Sequence, residues 1–223
     1  MAFAKANDPL FLQLKNIITF EHKLPNELLS NAKTVISYFI PFNLSIVSSN
    51  NKGKSPSIEW AIAYVETNKL INEINLFLSN YLEKEGFNSL GIPPTNNFNK
   101  ELLVSYWSHK HVAYIAGLGK FGLHKMIITE KGCCGRLGTL ITSAKIKSTT
   151  RIEKESCLYF YNKTCKLCID KCFFDVLKLD SFDRHKCYKI CLENGKIYSS
   201  LGLTDICGKC ACGIPCSTEN PVD

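Results

Sequence analysis

Ten of the chain's twelve cysteines lie between Cys157 and Cys216, and only Cys133 and Cys134 come earlier. This distribution divides the chain into two chemical parts before any secondary structure is considered. The first reads as an ordinary globular sequence, whereas the second has to fold around its sulfurs. Two CxxC pairs, Cys165 with Cys168 and Cys207 with Cys210, have the spacing of metal ligands. The start, MAFAKANDPLFLQLKN, has no basic n-region, continuous apolar run or small-residue cleavage site of a secretory leader. A cytoplasmic location is therefore expected. Thiols stay reduced there, which makes a disulfide framework the poorer reading of the cysteines.

The rest of the composition excludes several classes. With 223 residues, 45% of them hydrophobic and 21% charged, the chain can bury a core and is neither disordered nor fibrous. No apolar run reaches the roughly 18 residues of a membrane span. The formal net charge of +7 raises the question of nucleic acid, but the lysines are dispersed and form no basic run.

The first 150 residues alternate between two periods. Residues 34–40, TVISYFI, form a short apolar run rich in β-branched and aromatic side chains, stopped by Pro41, and predict a buried strand. From Ser55, an expected N-cap with Pro56 at the first helical position, apolar residues recur at Ile58, Ala61, Ile62, Val65, Ile71, Ile74, Phe77, Leu78, Tyr81 and Leu82. That stripe predicts a helix of about eight turns, closed by Gly86, with the stripe in the core. A Pro- and Asn-rich loop is expected over residues 91–100. A second helix follows around His109, His111, Ala113 and Ile115 and ends at Gly117.

There Gly117, Gly119 and Gly122 take GxGxxG spacing. A dinucleotide loop follows a strand and opens a helix, whereas this one follows a helix and leads into a strand predicted at residues 126–129, so nicotinamide binding is a poor reading. The glycines mark positive φ or a close backbone approach, in a turn or beside a bulky ligand. A second strand, LGTLITS, is expected to form a hairpin around residues 131–135, with Cys133 and Cys134 as small turn residues rather than ligands. His109 and His111, two apart on a helix, point away from each other and make an unpromising metal pair.

From Cys157 the spacing carries chemistry. Cys157, Cys165, Cys168 and Cys172 stand as C-x7-C-x2-C-x3-C, against the C-x2-C-x2-C-x3-C-P run of bacterial two-cluster ferredoxins; the first gap is wider and Phe173 replaces the proline. The crossed arrangement of that run suggests Cys157, Cys165, Cys168 and Cys216 for one 4Fe-4S cluster. It suggests Cys172, Cys187, Cys207 and Cys210 for the other, leaving Cys191 and Cys212 over, with Cys212 the less certain exclusion. Zinc on the two CxxC pairs is the alternative, but it leaves six clustered cysteines unexplained and gives no reason for the x3 gap. Phe173, Phe174 and Tyr188 are expected to shield the sulfurs from solvent.

In this order of motifs the chain resembles the epoxyqueuosine reductase-like iron-sulfur proteins, relatives of the reductive dehalogenases. The resemblance is carried by AYIAGLGKFGLHKMIITEKG over residues 113–132, then the expected hairpin, then the cysteine region with FDRHKCY before the final CGKC. It implies a cobalamin over the AGLG loop, with Gly117, Gly119 and Gly122 letting the backbone approach the corrin, and two 4Fe-4S clusters feeding it electrons. The family carries an acidic proton donor in a DTGPxxER-like stretch before AGLG. A gapless count puts Leu103 at that position here, with Glu101 the nearest acid. The sequence stops at Asp223, directly after the cysteines, so no further domain for gripping tRNA is expected.

The expectation is thus an α+β protein: a mixed α/β, corrinoid-binding-like domain over residues 1–150 and a small ferredoxin-like two-cluster module over residues 151–223. Its expected activity is that of an oxidoreductase on an unidentified small molecule or a partner's cofactor, fed by a redox partner such as a ferredoxin or flavodoxin. Two alternatives stay open, an electron carrier without corrinoid and a tRNA-modifying or zinc-dependent nucleic-acid protein.

Overall fold

The computed structural model describes residues 1–94 and 98–222. In chain order the elements are β1 (Ala2–Lys5), α1 (Pro9–Ile17), α2 (Pro25–Leu28), β2 (Thr34–Pro41), α3 (Leu44–Ser49), α4 (Ile58–Lys84) and β3 (Ser89–Ile92). Then come β4 (Phe98–Asn99), β5 (Val104–Ser105), α5 (His109–Ala116), β6 (Lys120–Phe121), β7 (Ile127–Ile128) and β8 (Gly135–Thr142). Beyond β8 the elements are helical: α6 (Leu158–Asn162), α7 (Leu167–Asp170), α8 (Arg184–Ile197) and two 3-10 turns. The expected loop at 91–100 contributes Gly91 and Ile92 to β3 and Phe98 and Asn99 to β4, while its residues 95–97 lie outside the described residues.

The chain packs as two compact units that alternate along the sequence. One comprises residues 1–40, 68–119 and 137–153, the other residues 41–67, 120–136 and 154–223. The expected division at residue 150 lies close to the last crossing, but the second unit also draws on two earlier segments. Long helix α4 passes from the second unit to the first at Asn68.

The first unit is built on a four-stranded sheet of order β1-β2-β8-β3, with β1 antiparallel to β2 and β3 antiparallel to β8. The central strands β2 and β8 are the two apolar runs of the sequence, and their continuous burial explains why neither alternates with polar residues. Val35 and Ile141 of this sheet pack with Phe11 and Leu14 of α1 and with Val112, Ile115 and Ala116 of α5. At the centre is Trp107, whose Nε1 donates to Thr139 Oγ1 at 2.9 Å and whose indole stacks on Phe11 and His22.

Helix α4 differs from its expected form at one end and along one face. It begins at Ile58 rather than Pro56. Ser57 caps it, because Ser57 Oγ accepts the Trp60 N–H at 3.1 Å while the Ser57 carbonyl accepts that of Ala61. At the other end Gly86 stands at φ 81°, and the Phe87 N–H returns to the Leu82 carbonyl, the expected glycine stop. Phe77 and Tyr81, expected in the core, are 69% and 58% exposed. Asn75 is buried in their stead because its polar atoms are partnered: Tyr38 Oη donates to its Oδ1 at 2.9 Å and its Nδ2 donates to the Ile92 carbonyl.

The expected hairpin of residues 126–129 with the following strand does not form. Strand β7 pairs with β6, whereas β8 lies between β2 and β3 in the sheet. The Thr129–Gly132 turn is present, but the backbone N–H groups of Cys133 and Cys134 go to the carbonyls of Cys216 and Ser217. A long-range partner has taken the hydrogen bonds that a local strand would have used. No helix among the described residues is long and apolar enough to cross a membrane.

Candidate metal centre

All twelve cysteines belong to the second unit. None is in a disulfide, and six are buried. They share a core with Phe42, Trp60, Tyr64, Leu123, Ile128, Leu177, Ile206 and Ile214. Phe173, expected to shield the sulfurs, is instead 44% exposed, on a run of tight turns in which its N–H goes to Lys171 and that of Asp175 to Cys172.

The sulfurs interact in two groups. Burial, and then the like charge of Cys216, Cys157 and Cys165, pushes the Cys168 thiol up to about 12. Burial, and then Cys207, Cys172, Cys187 and Cys168, pushes that of Cys210 up further, and Cys207 is raised by burial and by Cys187 and Cys172. The Cys168 sulfur thus feels those of Cys216, Cys157 and Cys165, while the Cys210 sulfur feels those of Cys207, Cys172 and Cys187 and also that of Cys168. Thiols that repel one another as anions and are cut off from water are poor isolated groups but suit a shared multivalent cation. The residues present thus fit thiolate-bound clusters. Cys191, left out of the expected sets, lies one helical turn beyond Cys187 on α8. Hydrogen bonding with Cys187 and then burial raise its thiol strongly.

A third set of contacts escaped the sequence reading. One ring nitrogen of His124 and the sulfurs of Cys133 and Cys216 lie within 4.8 Å of one another. His124 Nε2 is 3.3 Å from Cys216 Sγ, and its Nδ1 accepts the Met126 N–H at 3.1 Å. Hydrogen bonding with Cys133 is the leading cause that lowers the Cys216 thiol to about 5, with the His124 contact assisting. Cys134 Sγ donates to the Ala211 carbonyl at 3.1 Å and lies 3.9 Å from Cys212 Sγ. Cys133 and Cys134 are thus not bystanders in a turn. The sequence signal for His124 is its place two residues after Gly122.

Those two histidines belong to the first unit, in separate contacts. His109 bonds the Pro93 carbonyl and Thr139 Oγ1, and His111 Nδ1 bonds Ser108 Oγ. Around the cysteines, Lys209 is buried, with Nζ donating to the carbonyls of Asn50 and Lys52 at 2.9 and 2.8 Å. Asn50 Nδ2 in turn donates to the Cys207 carbonyl at 3.0 Å and to Cys212 Sγ at 3.4 Å.

The glycines expected to approach a corrin are accounted for from within the chain. Gly117 is the left-handed C-cap of α5, and a Cβ there would lie 2.9 Å from the Thr150 carbonyl oxygen. A Cβ on Gly122 would lie 2.7 Å from the His124 ring. Gly119 is buried immediately before β6. The space a side chain would take at Gly117 and Gly122 is filled by protein atoms. Leu103, at the position of the family's acid, holds a left-handed φ of 51° next to an Asx turn in which Asn99 Oδ1 accepts the N–H groups of Glu101 and Leu102. Its side chain has no proton to give.

No protein-family model matches the chain, and no curated protein matches it. Solved structures do. An epoxyqueuosine reductase from Bacillus subtilis superposes with a TM-score of 0.62 at 16% identity, covering 100% of this chain and 64% of that one. The enzyme from Streptococcus thermophilus gives 0.60 at 20% identity, covering 100% and 64%. A complex of epoxyqueuosine reductase with an epoxyqueuosine-modified tRNA-Tyr stem loop gives 0.63 at 17% identity, covering 97% and 60%. The chain therefore spans about three fifths of the length of the structures it matches. By its mixed α/β fold, the chain is epoxyqueuosine reductase-like.

Proposed function

We propose that the chain is an iron-sulfur oxidoreductase holding two 4Fe-4S clusters, one on Cys157, Cys165, Cys168 and Cys216 and the other on Cys172, Cys187, Cys207 and Cys210. The observation that carries this reading is the crowding of like-charged sulfurs around the x2 and x3 gaps, Cys216, Cys157 and Cys165 about Cys168 and Cys207, Cys172 and Cys187 about Cys210. When bound, such clusters supply one-electron transfer at potentials set by charge, burial and hydrogen bonds to sulfur. The chain's own part is to hold the thiolates in a core walled by Trp60, Leu123, Ile128 and Ile214, and to place Lys209 as a buried counter-charge.

The acceptor we propose is a reducible ligand of the first unit. A corrinoid in that role rests on the likeness of fold alone. The second reading, reduction of epoxyqueuosine in tRNA, is favoured by the stem-loop complex among the matching structures. With Leu103 at the acid's place, that chemistry needs its proton from elsewhere.

Anaerobic reconstitution followed by iron and sulfide analysis tests the first reading. About eight of each per chain are expected. Zinc without sulfide overturns it. Titration of the reconstituted protein with cobalamin tests the acceptor, and absence of saturable binding removes the corrinoid. Incubation with an epoxyqueuosine-modified stem loop and a low-potential reductant tests the tRNA reading, with queuosine in the product as the supporting result.

A further inference from the structure

His124 is the buried histidine nearest the sulfurs, and its surroundings fix what it can do. Its Nδ1 faces the Met126 N–H at 3.1 Å and must accept that bond. In the neutral ring the proton then sits on Nε2, the nitrogen 3.3 Å from Cys216 Sγ. Metal ligation through Nε2 would require the proton on Nδ1, against the Met126 N–H. The ring is therefore placed as a donor to the Cys216 sulfur and not as a ligand.

Two local features build this contact. Gly122 has no side chain where a Cβ would lie 2.7 Å from His124 Cε1 and 2.9 Å from Ile128 Cδ1, so glycine there makes the room the ring occupies. Gly132, at φ 73°, lets the turn after Thr129 close onto Ser217, where a Cβ would lie 2.5 Å from the Ser217 carbonyl. That approach registers the Cys133 N–H on the Cys216 carbonyl at 2.9 Å and brings the Cys133 sulfur to the same Cys216.

We propose that His124 donates a hydrogen bond to the Cys216 thiolate and thereby raises the reduction potential of the cluster it ligates. The inference rests on the cluster assignment proposed above. A donor at a ligating sulfur withdraws charge from the cluster and stabilises its more negative, reduced form. His124 is a positioning residue in this role, since it is not needed to hold iron.

The test is an EPR-monitored redox titration of anaerobically reconstituted wild type, His124→Leu, His124→Phe and His124→Gln. In His124→Leu one of the two midpoints should move negative, by a tenfold weaker reduction equilibrium, about 59 mV for one electron, while the other stays. His124→Gln, which keeps an N–H donor, should recover most of that shift, and His124→Phe, which has none, should move the same midpoint in the same direction. Unmoved midpoints in iron-replete His124→Leu, or equal shifts in the Leu and Gln variants, overturn the inference and leave the cluster reading intact. Wild type that takes up no iron or sulfide overturns both. Where His124→Leu does not take up iron, His124→Phe decides: a shifted midpoint supports the inference and an unmoved one overturns it.

Discussion

Asn50 donates from Nδ2 to the sulfur of Cys212 at 3.4 Å, across 162 residues of sequence, while its Oδ1 accepts the Ser57 N–H at 3.1 Å. One buried amide thus ties the loop before α4 to the last cysteine loop, in which its Nδ2 also reaches the Cys207 carbonyl. Replacing it by alanine leaves buried groups on both sides without partners. Asn50→Ala is expected to cost about 2 kcal/mol, and Asn50→Asp more, because a carboxylate would face a carbonyl and a sulfur. Guanidinium denaturation under anaerobic conditions measures both.

Trp107 is 1% exposed in the core of the first unit. Trp107→Ala is expected to destabilise by about 3–5 kcal/mol through the cavity it leaves. Trp107→Phe should cost less, about 1–2 kcal/mol, the loss of the bond to Thr139 plus a smaller void. The comparison by chemical denaturation separates packing from hydrogen bonding.

His22 is fully buried, and its Nε2 accepts the Ser108 N–H at 3.2 Å, a bond that protonation removes. Burial, the leading cause, lowers its pKa from the ordinary histidine value, and burial likewise lowers His111 to about 4. Both are depressed in the folded state, so the unfolded chain binds protons first as pH falls. The stability they contribute is complete above about pH 6.5 and falls as pH drops below it, that of His111 being lost toward pH 4. Denaturation midpoints between pH 7.5 and pH 4.5 should fall accordingly, and His22→Gln, which keeps an acceptor without titrating, should flatten the decline.

Cys187 and Cys191 lie one turn apart on α8, and both belong to the neighbourhood of Cys207. Cys187→Ser is expected to halve the iron of reconstituted protein, and Cys191→Ser to leave it unchanged. Iron analysis of the two variants checks this directly; the opposite pattern would move the ligand role to Cys191.

What could be read in the sequence is what neighbouring residues decide. The strand at residues 34–40, the glycine stops at Gly86 and Gly117 and the helical period of α4 follow from rules that act within a few residues. The x2 and x3 cysteine gaps were legible for the same reason. Helix α4 starts two residues beyond the expected position because Ser55 and Ser57 are both good caps, and only the actual bond to Trp60 chooses between them. Its side-chain stripe departs from expectation at Phe77 and Tyr81 because burial depends on what packs opposite, and there Asn75 meets Tyr38.

The sequence by itself determined that the chain's thiols are concentrated and spaced for metal. Tertiary structure alone decided which segments join them. It drew residues 41–67 and 120–136 into the cysteine unit, replaced the expected hairpin by backbone bonds from Cys133 and Cys134 to Cys216 and Ser217, and set His124 against a sulfur 92 positions away. The physical reason is the range of the forces. Capping, turns and helix period are fixed by nearest neighbours along the chain. The pairing of buried polar groups is settled only when distant segments exclude water together and each N–H, ring nitrogen and sulfur has to find its partner in the space that remains.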